Sequence, residues 1–279
     1  MTLQLDPRFP RVWRSPTELQ FGVERRMLVL HDVTNAEERL IAALEAGVTR
    51  GGLAALARNA GASVDEVDVL LLRLRPVLRE RSGAKRVAPR AIAVDGHGPT
   101  AARIAHLLGA SGFHVTSDIA DVDRVSAAVV VANFAVRPDR YARWLRRDVP
   151  HLAVVFGDRS ATIGPLVEPG AGPCLGCCDR VRTEADPAWL ALATQLSPRE
   201  SHVQTPLVST AVAALAARML VTRMSTGSRR FQSAGVRYDA ASGATTVVEF
   251  RQHEECGCRA PRGSATALAD RAAGRRPPN

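Results

Sequence analysis

The sequence predicts an α/β protein of two domains. Its length of 279 residues exceeds the roughly 100 to 200 typical of one domain. Short strand patterns followed by three helix patterns fill the first part. From residue 91 onward, strands alternate with helices, an order that calls for a doubly wound parallel sheet. The boundaries fall at 1–88 and 89–260, with a disordered basic tail at 261–279.

In "TELQFGVERRMLVLHDV", 17–33, the alternation Leu19, Phe21, Val23 and the dense run Met27 to Leu30 predict two strands around a polar turn, with a further strand near "RVWR". Thr34 and Glu37 form a capping box ahead of "AEERLIAALEAG", which stops at Gly47. "TRGGLAALARNAG" is a second helix stopping at Gly61, and Ser63 with Glu66 caps a third. That third helix carries Val64, Val67, Leu71, Leu74 and Leu78 as one apolar stripe, and Pro76 should kink it or end it early. Strands and then three helices describe a winged-helix-like module. "RSGAKRVAP", 81–89, is the linker.

The second domain opens with a strand "AIAVD", a glycine turn "GHGPT" and a helix "AARIAHLLGASG". Strands at "HVTSD" and "AAVVVA", a helix at "DRYARWLRR" and a strand at "HLAVVFG" continue the alternation. "DPAWLALATQL" and "VSTAVAALAARMLVTRM" read as helices, and "FQSAGVRYD" with "ATTVVEFRQH" as a hairpin across "AASG".

The formal charge is +9, but residues 259–279 supply five arginines against one aspartate, so basicity says little about nucleic acid. A helix-turn-helix places the start of its last helix against DNA. Here that start carries Asp65, Glu66 and Asp68, which oppose phosphate binding. The geometry suits a different partner. A peptide can add as a strand beside 26–33 and lie against the last helix, meeting Met27, Leu28, Val29, Leu30, His31, Val67 and Leu71. The first residues have no apolar core of a signal peptide, and "AAVVVANFAV" and "TAVAALAARMLV" are too short or interrupted to span a bilayer. A soluble, cytoplasmic protein without membrane contact is expected.

All five cysteines lie in "CLGCC", 174–178, and "CGC", 256–258. In a reducing compartment such clusters point to metal rather than disulfides. Cys174, Cys177, Cys256 and Cys258 complete a tetrahedral zinc site, structural because four thiolates leave no open position. Cys178 is a spare thiol, and His253 is a candidate substitute ligand. Gly96, Gly98 and Ala101 stand in a G-x-G-x-x-A arrangement between a strand and a helix, with Asp118 where a ribose-binding acid would sit. The same glycines also serve a plain strand-to-helix turn.

Together "PLVEPGAGPCLGCCDR", "DPAW" and "HEECGC" resemble the ThiF and ubiquitin-activating-enzyme superfamily. More closely they resemble its degenerate member that partners YcaO proteins in azoline-forming peptide modification, the cyclodehydratase domain of bacteriocin biosynthesis. The first domain resembles the leader-peptide recognition element fused ahead of it, and the resemblance runs from about residue 8 to 260. It implies a non-catalytic subunit that binds the leader of a ribosomally made precursor and presents it to a YcaO-type cyclodehydratase. Adenylating members carry a second Asp, an Asn-x-x-Arg-Gln stretch and a phosphate-side lysine after the ribose acid. This chain instead reads "SDIADVDRVSAAVVVAN", and its one lysine, Lys85, precedes the glycine turn. ATP binding is therefore not expected, and Gly96, Gly98 and Asp118 are vestigial. An active ThiF-like adenylyltransferase and a winged-helix regulator are the alternatives, and homodimerisation is left open.

Overall fold

The computed structural model describes residues 2–81, 91–119 and 125–259. The expected linker from 82 on, and the expected tail, lie outside the described residues. The chain separates into two units, Met1–Val87 and Ala88–Asn279.

In the first unit β1 (Thr2–Leu5) alternates so that Leu3 and Leu5 face the core. Strands β2 (Arg11–Trp13), β3 (Leu19–Phe21) and β4 (Leu28–Leu30) form an antiparallel sheet in the order β2-β3-β4. Helix α1 (Asn35–Ala46) begins at the anticipated capping box: Thr34 N donates to Glu37 Oε2 at 3.0 Å and Glu37 N to Thr34 Oγ1 at 3.2 Å. After β5 (Val48–Thr49), helix α2 (Arg50–Asn59) starts on the Thr49 hydroxyl. Ser63 and Glu66 form the second box, heading α3 (Val64–Leu74). Pro76 ends this helix: a 3-10 turn over Arg75–Val77 leads into β6 (Leu78–Arg81).

Two sequence expectations change here. The strands β1, β5 and β6, which form a second small sheet, went unpredicted, because β1 is short and pairs with β6 from the far end of the unit. The buried line of α3 is Val67, Leu70 and Leu74; Val64 is 57% exposed, and Leu78 has left the helix for β6. These residues close over Leu19, Phe21, Leu30, Leu40, Ile41 and Leu53.

The second unit is built on a seven-stranded sheet in the order β13-β12-β11-β10-β9-β7-β8. Its strands are β7 (Ala91–Asp95), β8 (His114–Thr116), β9 (Val125–Asn133), β10 (His151–Phe156), β11 (Ser160–Val167), β12 (Ala234–Asp239) and β13 (Thr245–Glu249). Strands β8, β7, β9 and β10 are parallel; β11, β12 and β13 run antiparallel. The expected parallel sheet is therefore extended into a mixed one by β11 and the anticipated hairpin of β12 and β13. The overlooked strand is β11, whose partner β10 precedes it by a three-residue turn, Gly157 to Arg159, too short for a parallel crossover.

Helices α4 (Gly98–Ala110) and α8 (Pro206–Thr226) contribute Ile104, Leu108, Val212, Ala216 and Leu220 to a core with one set of sheet side chains. Helices α5 (Pro138–Arg146) and α6 (Leu175–Ala185) contribute Trp144, Leu175 and Cys177 to a second core with Ala128, Val130 and Ala153. The short α7 (Trp189–Leu196) follows. Among the described residues α8 is long and apolar enough to cross a membrane, with mean hydropathy 1.4 over a window that is 44% buried. Length and composition are also those of a core helix, and here they serve one. Its apolar side is used against the sheet.

Candidate functional site

The four sulfurs of Cys174, Cys177, Cys256 and Cys258 lie within 4.8 Å of one another. The residue spacing explains half of this. Cys174 is the N-cap of α6 and Cys177 sits one turn in, so both sulfurs share one helix face, 3.8 Å apart. The other half is tertiary. After β13 the chain returns to α6, and Gln252 Nε2 donates to Gly172 O at 2.7 Å, fastening the two cysteine segments side by side. Cys174 then stands 3.6 Å from Cys256, and Cys177 stands 3.4 Å from Cys258. A tetrahedron with Zn–S bonds of about 2.3 Å has S–S edges of about 3.8 Å. The donor set thus fits one closed zinc ion without rearrangement of the helix.

Burial pushes the Cys174 thiol upward and raises Cys258 to about 12. Cys177 is also buried, but backbone hydrogen bonds involving His253 and Cys174 hold it below the usual thiol range. Cys178 lies outside the set; burial raises it to about 12. His253 is not placed to replace a ligand. Its Nε2 meets Glu184 Oε1 at 2.8 Å and its Nδ1 accepts from Glu255 N at 3.1 Å, so both ring nitrogens are engaged. Glu184 and Gln252, which hold the closing segment, were invisible in the sequence because each partner lies about 70 to 80 residues away.

The glycine turn has structural work. A Cβ on Gly96 would come within 2.8 Å of the Val131 side chain, and Gly98 has φ +83 at the start of α4. The parallel pairing of β7 with β8 places Gly96 and Asp118 at the same end of the sheet. At that end Asp95 is occupied by Arg140 Nη2 at 2.7 Å and by Trp144 Nε1 at 3.3 Å.

In the first unit, β4 pairs only with β3 among the described strands. Backbone parity identifies its open side. Gly22 N donates to Pro10 O and Arg14 N to Glu18 O, so even-numbered residues of β3 face β2. Leu19 and Phe21 then bond Leu30 and Leu28, leaving Val29 N–H and C=O directed away from β3. The outward carbonyl of His31 accepts from Arg73 Nη2 of α3 at 3.2 Å, which places that open edge beside α3. A cavity of about 390 Å³ lies there, lined by His31, Asp32, Leu40, Asp65, Val69 and Arg73 among others. Of the residues expected to meet a peptide, Met27, Leu28, Val29 and His31 lie on or beside β4, whereas Leu30, also on β4, is 2% exposed in the core and cannot present its side chain to a peptide. Val67 does not line the opening: it is 2% exposed in the core, and Leu71 is partly buried behind it. Val69, overlooked in the sequence, takes the exposed position.

The fold that carries these two features occurs in solved structures. This chain shares its fold with the heterocyclase TruD. The match has a TM-score of 0.65 at 17% identity and covers 97% of this chain and 44% of TruD. A heterocyclase in complex with substrate and cofactor matches at 0.66 and 15% identity, over 92% of this chain and 39% of the other. The chain therefore spans less than half the length of either. MccB of E. coli with ATP matches at 0.59 and 11% identity, over 92% of this chain and 99% of MccB. No protein-family model matches the chain. No curated protein matches it either.

Proposed function

We propose that this chain is the leader-binding, ThiF-like component of an azoline-forming peptide modification system, acting with a YcaO-type cyclodehydratase. The first unit is read as a winged-helix recognition module and the second as a degenerate doubly wound scaffold, closed by a structural zinc on Cys174, Cys177, Cys256 and Cys258. One observation carries the reading: the open β4 edge, with Val29 N–H and C=O unpaired by β3, faces a cavity against α3. An extended leader adding there gains main-chain hydrogen bonds for affinity and side-chain pockets for choice. The shared fold with TruD over under half of that protein supports a division of labour in which the ring-forming chemistry belongs to the YcaO-type component.

The chemistry of the second unit supports a non-catalytic role. Gly96 is accounted for by its packing on Val131, and Asp95 is tied up by Arg140. The one lysine precedes the turn, so no lysine follows it to meet the negative charge that adenylyl transfer develops on the phosphate oxygens. The test is titration of the labelled leader of a precursor peptide encoded beside this chain, using the full chain. Micromolar binding is expected; no binding by folded protein overturns the leader-binding role.

A further inference from the structure

We infer that the β4 edge selects a basic extended peptide, one carrying an apolar anchor flanked by lysine or arginine. This rests on the strand-addition reading above and adds to it the chemistry of the occupant. Four carboxylates line the cavity beside the open edge: Asp32 just after β4, Glu37 on α1, and Asp65 and Glu66 in the first turn of α3. The cationic side chain among the lining residues is Arg73, and it is already committed. Its Nη1 lies 2.7 Å from Glu37 Oε1 and its Nη2 holds the His31 carbonyl. His31, also on the rim, is paired through Nδ1 with Glu18 at 2.7 Å. Glu66 accepts from Ser63 N in its capping box but keeps its charge, held below the usual carboxylate range by that bond.

Asp32 and Asp65 have no hydrogen-bonded or ionic partner among the described residues. The cavity therefore presents uncompensated negative charge on both sides of its opening. Its floor is apolar: Leu40 closes the base, and Val69 stands 56% exposed on α3. Side chains of an added strand alternate, so those pointing one way reach one surface at every second position. An apolar side chain set on Val69 places its neighbours on the same face close to Asp32 and Asp65. Acidic side chains there would meet like charge.

The experiment pans a displayed library of random twelve-residue peptides against the full chain at low salt. Enrichment of lysine and arginine over aspartate and glutamate two positions from an apolar residue is expected. For a selected peptide, Asp32→Asn with Asp65→Asn should weaken binding about five- to tenfold, two exposed charge pairs at a fraction of a kcal/mol each. Asparagine tolerates the left-handed backbone at Asp32, φ 53, so the variant keeps its fold. Val29→Pro should abolish recovery of all selected peptides. Selected peptides without basic bias, lost on Val29→Pro, overturn the charge inference and leave strand addition standing. Peptides insensitive to Val29→Pro, or no enriched peptide at all, overturn both.

Discussion

Arg73 on α3 donates to the main-chain carbonyl of His31 at the end of β4, 3.2 Å away. This bond spans 42 residues and fixes the side of β4 that remains open. Leu28 and Leu30 are turned to β3, and Val29 is turned to α3.

That parity separates two prolines. Val29→Pro removes an outward N–H and leaves the β3–β4 ladder bonded, so the melting temperature should stay close to wild type while leader binding is lost. Leu30→Pro removes a ladder donor and the fully buried Leu30 side chain, and should cost several kcal/mol or unfold the module. Circular dichroism melts with peptide titration of both variants check this. Equal binding by Val29→Pro and wild type would place the peptide elsewhere.

The sulfur cluster predicts about one zinc per chain. Cys256→Ser should lose the metal together with several kcal/mol of stability, because a structural ion contributes its binding free energy to folding. Cys178→Ser, outside the four-sulfur set, should keep both. Metal analysis of reduced, chelator-free protein with thermal melts distinguishes the two variants, and zinc-free wild-type protein would remove the site.

His151 gives the α/β unit a pH dependence. It is fully buried; Nδ1 is bonded to Val149 O, and Nε2 has no partner among the described residues. Burial lowers its pKa from 6.5 to about 4. The unfolded chain then takes up a proton below about pH 6.5 that the folded chain refuses until about pH 4. The stability contributed is full above pH 6.5 and is lost as pH falls toward 4, by about 3 kcal/mol in total. Urea unfolding of wild type and His151→Leu across this range should show their difference shifting in favour of the variant as pH falls. Parallel curves would refute a neutral buried imidazole.

The full chain alone should neither exchange pyrophosphate into ATP nor bind ATP tightly. The glycines are explained by packing and backbone conformation, and the strand end beside them is filled by Arg140. Exchange abolished by Asp118→Ala would reinstate an adenylyltransferase.

Much of this molecule is local and could be read from the chain. The two capping boxes, Thr34 with Glu37 and Ser63 with Glu66, are interactions over three residues and appear as anticipated. Pro76 ends α3 through its own covalent geometry. The segregation of all thiols into two spaced clusters identified the four that converge. The direction of β11 was hidden because its run "SATIGPLV" follows β10 after three residues and carries no mark of which strand it will join.

The sequence by itself determined the helices other than α6, the parallel core strands and the identity of the cysteine set, since caps, periodicity and ligand chemistry act over a few residues; α6, which carries Cys177, went unread because its apolar positions are sparse. Tertiary structure alone decided that Val67 is core while Val69 is exposed, that both nitrogens of His253 are engaged, and that Val29 faces an open edge. Each of these needs a partner far along the chain: the core packed against α3, Glu184 on α6 for Nε2 of His253, and Arg73 reaching β4. Periodicity along a strand specifies that its residues alternate; only the neighbouring strand selects which set is bonded and which is left open.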